Sequence, residues 1–158
     1  MKINLLSAPV VVPPYGWLVY MDLRKLGVHE RDGWCMQLDE RIVFFDSEEK
    51  CVPLGPILEI GWAEFSEFLS RAQILLPSHA DLISSFPKAL LLKHIFHSSV
   101  SAYWPEKALG WLEADKGLQK MFKSELQNFA ENTANPQQAR QRAKRILRSI
   151  SQPSSKIE

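Results

Sequence analysis

His94 and His97 stand three residues apart in KHIFH, a spacing that on a helix turns two imidazoles to one side, as some metal sites require. A tetrahedral site needs a third and a fourth ligand. No Glu or Asp accompanies the pair locally, so no metal is expected and both rings should bond to neighbours. Ser98, Ser99 and Ser101 follow at once. A hydroxyl beside His97 could act as a nucleophile, but serines at a helix end satisfy free backbone groups, and that is the role expected of them. Cys35 and Cys51 are the only thiols. Either could attack as a thiolate beside a histidine base, yet no local signature pairs them with one. The seven glycines are scattered singly, so no phosphate-cradling loop exists. These residues predict no catalytic site, no cofactor and no small-molecule substrate; the chain reads as a non-enzyme.

Two charged constellations are more informative. Asp39, Glu40, Asp46, Glu48 and Glu49 crowd into eleven residues, offset only by Arg41 and Lys50. On turns of a small sheet they would form a negative surface that steers a basic protein partner. Trp34, close by in sequence, would supply an aromatic anchor. Those six residues, Trp34 and the five carboxylates, are the candidate partner-binding set. The second constellation is the helix QQARQRAKRILRSI, with Arg140, Arg142, Lys144, Arg145 and Arg148 and no acid. A basic helix can contact phosphates, which makes a nucleic-acid-associated regulator the alternative function. Against it, Ala139, Ala143, Ile146, Leu147 and Ile150 form a stripe that should dock inward and leave the cations as a solvated face. Nucleic acid is therefore the less favoured partner.

The elements that position these groups follow from periodicity. Residues 2–12 end in Val10–Val12 against Pro13–Pro14, which allows at most an edge strand. Gly16–Met21 fits a half-buried strand, and Leu23–Val28 suits either a strand or a helical turn. Asp32–Gly33 signals a turn, then come Trp34–Leu38, an Asp39–Glu40 turn, Arg41–Phe45, a polar turn over Asp46–Lys50, and a strand over Cys51–Leu54. Residues 16–54 thus predict a small antiparallel sheet of three or four strands. From Leu58 the period changes to 3.6: Trp62, Phe65, Phe68 and Leu69 share a helix face. Ser78–Asp81 suggests a capping box. Phe86–Leu112 predicts two short helices hinged at His97–Ser101, opened by Pro87 and Pro105, with Leu92, Phe96, Trp104 and Trp111 as core. Asp115 should cap a helix whose stripe is Leu118, Met121, Phe122, Leu126 and Phe129, and Asn135–Pro136 opens the basic one. The fold class expected is α+β: a small N-terminal antiparallel sheet followed by a bundle of about six helices. It should form a single domain over 1–152, β-rich over 1–56 and helical over 57–152, with a flexible tail at 153–158.

Composition agrees with that reading. A chain of 158 residues can bury a core in one domain. Net charge is +1, but residues 1–135 hold 13 Lys and Arg against 17 Asp and Glu, and residues 136–158 hold 6 against 1. Two cysteines make no disulfide framework at this size. They could lie on neighbouring strands, but reduced, partly buried thiols of a cytoplasmic protein are expected. MKINLLSAPVVVPP is broken by Asn4, Ser7 and Pro9, so no signal peptide is expected. No stretch reaches membrane-spanning length.

YWPEKALGWLEADKGL followed by NPQQARQRAKRIL resembles small bacterial proteins that pair a Trp-containing helix with a final Gln/Arg-rich one. The chain is also similar to the immunity proteins of bacterial toxin systems, including contact-dependent inhibition. That resemblance covers about a third of the chain and carries over no functional residue. It implies a compact cytoplasmic protein whose acidic surface blocks a toxin's active site, with a basic toxin domain as partner.

Overall fold

The computed structural model describes residues 1–151, and the tail expected at 153–158 lies outside the described residues. The architecture is α+β, an N-terminal antiparallel sheet followed by helices. Two compact units divide the chain, Met1–Leu91 and the residues from Leu92 onward. The boundary falls inside a helix, so the first helical segments group with the sheet.

The first unit is built on five strands in sequence order: β1 (Ile3–Val12), β2 (Tyr15–Met21), β3 (Arg24–His29), β4 (Gly33–Leu38) and β5 (Arg41–Phe44). Short turns made this meander readable. Val12 pairs with Tyr15 across Pro13–Pro14, whose peptide bond is cis, and Met21 pairs with Arg24 across Asp22–Leu23. Leu38 pairs with Arg41 across Asp39–Glu40. Asp22 and Asp39 take the left-handed conformation (φ 55° and 56°) that Asp tolerates better than most residues. β1 is an edge strand, and its register shifts between Leu5 and Val10, around Pro9. A proline that cannot donate is harmless there. Leu23–Val28 resolves as strand β3, because its neighbours on both sides supply partners.

The strand expected over Cys51–Leu54 does not form. Glu49–Glu59 is a 3₁₀ helix instead, with Cys51, Leu54 and Ile57 buried. Residues three apart eclipse one another in a 3₁₀ helix, so these three form one inward row and Pro53 and Pro56 another. The prolines, which lack an N–H, also disfavour a strand ladder. Helices α1 (Trp62–Leu75), α2 (Ala80–Ser84) and the start of α3 (Lys88–Ser98) complete the unit. Trp34 stands edge-on to Phe86, and Phe86 edge-on to Phe65, joining sheet to helices. The capping box expected at Ser78–Asp81 is absent: α2 has no side-chain cap, and Ser78 Oγ lies 2.9 Å from His79 Nδ1. Lys88 is a buried cation, its Nζ 3.5 Å from the centre of the Trp62 ring. The ring face offers the ammonium partial compensation for lost water.

Among the described residues the second unit holds the rest of α3 and four further α-helices, α4 (Tyr103–Glu113), α5 (Lys116–Gln119), α6 (Lys123–Glu131) and α7 (Gln137–Ser151). Asp115 caps α5 by accepting from the Leu118 backbone N–H at 3.2 Å. The single helix expected after it is interrupted by a 3₁₀ turn at Lys120–Phe122, which turns Met121 outward. Leu92 and Trp111 are buried as expected, whereas Phe96 and Trp104 are only half-buried. Phe96 packs on Phe122 and Phe129. Ala139, Ala143 and Ile146 are the buried row of α7, where alanines let α6 approach closely. No helix among the described residues is long and apolar enough to cross a membrane.

Candidate functional site

β5 is the far edge of the sheet, so among the described residues no strand hydrogen-bonds to its outer side. Alternate peptide groups of an antiparallel strand point away from its one neighbour and stay available. Beside this edge lies a cavity of about 630 Å³ between the strand ends and the 3₁₀ helix. Ile42, Val43 and Phe44 form its strand side, and Val52, Pro53 and Pro56 its opposite wall. Val52 is 62 % exposed, an apolar side chain offered at the rim.

Register brings the cations in. Lys25 pairs with Gln37, which sets Arg24 beside Leu38 one step on, and Leu38 pairs with Arg41. Neighbouring strands show their opposed residues on one face, so Arg24, Leu38 and Arg41 form a row, with both arginines bordering the cavity. Lys50 and Glu49 border it from the 3₁₀ helix, and Lys50 Nζ is 3.0 Å from Asp46 Oδ1. The lining is thus largely apolar, with three cations against one carboxylate.

The acidic set divides. Asp39 and Glu40 occupy the exposed β4–β5 turn. Asp46 lies beyond the other end of β5, a strand of four residues and so on the order of 13 Å long. Asp46 is held by Lys50, and Glu48 is half-buried with partners of its own. Glu49 is exposed on the cavity wall. A single patch of five carboxylates, as expected from sequence, is therefore not what the fold makes. Trp34 also requires correction as an exposed anchor. It is 4 % exposed, and its indole Nε1 donates to the Leu82 carbonyl at 2.9 Å.

On α7, Arg142 donates to both oxygens of Glu113 at 3.1 and 2.8 Å, and Arg140 Nε donates to the Asn135 carbonyl. The Glu113 hydrogen bond holds the Arg142 guanidinium charged more firmly than usual, against the opposing effect of burial. Arg145 and Arg148 are exposed, and Lys144 is half-buried. The basic helix is thus partly spent inside its own unit.

The residues that opened the chemical reading also find places. His97 Nε2 lies 2.7 Å from Glu125 Oε2 on α6, at the wall of a second cavity of about 400 Å³. His94 Nδ1 lies 3.0 Å from Ser98 Oγ, which donates to the His94 carbonyl at the helix end. Among the described residues no three His, Cys, Asp or Glu converge to hold a metal ion. Cys35 and Cys51 are both free and buried. Burial pushes the Cys35 thiol up to about 12 and the Cys51 thiol to about 11, with smaller pushes from Asp32 and Glu48. Both remain protonated and inert at neutral pH.

Sequence reasoning missed Arg24, Val52 and the proline wall. The prolines carried a signal, the three-residue repeat Cys51, Leu54, Ile57 with Pro53 and Pro56 between. It also missed His29, whose buried Nδ1 accepts from the Arg31 and Asp32 backbone N–H groups at 3.1 Å and secures the β3–β4 turn. No family model matches the chain, and neither the curated proteins nor the solved structures contain a match to it.

Proposed function

We propose that the chain is a non-enzymatic protein-binding module whose docking surface is the β5 edge and the groove beside it. The observation that carries this reading is the conjunction of an unpaired strand edge with an apolar-walled groove of about 630 Å³ and exposed Val52 at its rim. An edge supplies backbone hydrogen bonds and a groove supplies side-chain selectivity, which is how sheets recruit extended segments. Asp39, Glu40 and Glu49, exposed around the groove, would steer a basic partner toward it. Inhibition of a bacterial toxin domain is the specific form of this function that the resemblance of the Trp-containing and Gln/Arg-rich helices supports.

The test is a benzophenone amino acid placed at Val52 in cells, with Met121, 54 % exposed, as the control position. A discrete adduct with one protein at Val52 and none at Met121 is expected, and identification of that protein as a secreted toxin domain would support the immunity role. Indistinguishable crosslinking at the two positions would remove the groove as a docking surface.

A further inference from the structure

We propose that the groove reads an extended partner segment carrying an acidic and an aliphatic side chain two residues apart, added to β5 as a sixth strand. The inference rests on the protein-binding reading and specifies what is bound.

Register supplies the geometry. Arg41 and Val43 are two residues apart on β5 and so share one face of the sheet. Arg41 ends the row Arg24–Leu38–Arg41, and Val43 pairs with Met36 in the next row. A strand laid on the open edge sets one residue opposite Arg41 and another, two positions away, opposite Val43, both on the groove face. The position opposite Val43 meets an apolar floor and the Pro53–Pro56 wall. The position opposite Arg41 meets that arginine, with Arg24 further in along the same row. Arg41 is one strand from that position and Arg24 three, about 5 and 14 Å between backbones, so Arg41 meets the carboxylate directly and the long side chain of Arg24, which borders the same groove, extends toward it from behind.

Their electrostatics favour such a ligand. Among the described residues neither guanidinium has an ionic or hydrogen-bonded partner, although Glu49 borders the same groove and Asp39 and Glu40 the adjacent turn. An arginine fork binds a carboxylate in a fixed, two-pronged geometry, so the pair would fix the register of the added strand as well as attract it. A lysine at that position would face Arg24, Arg41 and Lys50 together. The surrounding acidic turns and the arginines of the groove then act on different parts of the partner: the turns steer a basic body, and the arginines select one acidic residue within it. Chain length also fits, since β5 offers four residues and a segment of four or five covers it.

The experiment is an NMR titration of the ¹⁵N-labelled protein with three capped peptides, Thr-Val-Thr-Glu-Thr and its Gln and Lys counterparts at the fourth position. The Glu peptide should shift the amides of Ile42, Val43 and Phe44 and the Nε signals of Arg24 and Arg41, and bind at least tenfold more tightly than the Lys peptide. The double variant Arg24→Gln, Arg41→Gln should keep the amide shifts and lose the preference. Equal affinities for the three peptides, shifts confined to β1, or the same shifts from hexanoate alone at lower concentration would each overturn the proposal, the last by making the groove a small-carboxylate pocket. The Val52 crosslink separates the two levels. An adduct that persists at full yield in the double variant sinks the acidic-segment inference and leaves the protein-binding function standing; loss of the Val52 adduct in the unaltered chain sinks the function itself.

Discussion

Gly27→Ala should be among the most damaging single-methyl changes available to the sheet. Gly27 pairs with Trp17 where β2 shifts register, and the two backbones come very close. A Cβ at residue 27 would overlap the Gly16 carbonyl oxygen outright and stand 2.8 Å from Trp17 Cα. Carbon atoms pack best at about 3.5–4.0 Å, so β2 and β3 would have to part by about 1 Å. Neither clashing group is a side chain that could rotate aside, and β2 is held by β1 on its other side. Overpacking costs about 1–3 kcal/mol, occasionally more, and a backbone clash belongs at the upper end. The alanine recovers roughly 0.4–1 kcal/mol by restricting the unfolded chain. The net loss should be about 2–3 kcal/mol, a fall of roughly 4–12 °C in melting temperature for a chain of this size. Urea unfolding followed by circular dichroism measures it, with two internal comparisons. Gly33 has φ +86° and open space around it, so Gly33→Ala should cost about 1 kcal/mol from the left-handed backbone alone. Gly61, at the start of α1, has an ordinary φ of −63° and no crowding, so Gly61→Ala should lie within about 0.5 kcal/mol of the parent. A Gly27→Ala variant as stable as Gly61→Ala would refute the close approach of β2 and β3.

Leu92 is fully buried, and Leu92→Ala should cost about 2–5 kcal/mol in the same unfolding assay; a loss below about 0.5 kcal/mol would place it at the surface. Cys35 and Cys51 should resist iodoacetamide at pH 8 until denaturant is added, because both thiols titrate well above their ordinary value of 9.0. Stability should accordingly be held below about pH 9 and fall as pH rises from there toward 11, since the unfolded thiols ionise first; a flat alkaline profile in wild type and in Cys35→Ala, Cys51→Ala alike would contradict this. Reversing Asp46 and Glu49 to lysine should change the melting temperature by less than about 4 °C, because the Asp46–Lys50 pair is 66 % and 50 % exposed and such pairs contribute at most about 1 kcal/mol. If the groove docks a basic partner, the same change should slow association at low salt and less so at high salt, as screening removes the difference.

Much of this protein was determined by short-range pattern. The strands of the meander are separated by turns whose residues act locally: two prolines at 13–14, and Asp22 and Asp39 in the left-handed conformation. Alternation of period two between such turns specifies antiparallel pairing without reference to anything distant. The same holds for Asp115, which caps the helix it precedes, and for the Ala139–Ala143–Ile146 row. Tertiary structure decided the rest, because burial and charge pairing depend on neighbours that sequence spacing does not reveal. Cys51–Leu54 is apolar enough for a strand, and only the inward row it forms with Ile57 makes it a 3₁₀ helix. Trp34 would suit an exposed anchor until Leu82, 48 residues away, supplies a carbonyl for its indole. The five carboxylates look like one patch in a linear string, but β5 sets Asp39 and Glu40 apart from the others and Lys50 pairs with Asp46. Arg24 and Arg41 are seventeen residues apart in sequence and become one site through the register of β3, β4 and β5, a relation that exists only once the strands have paired.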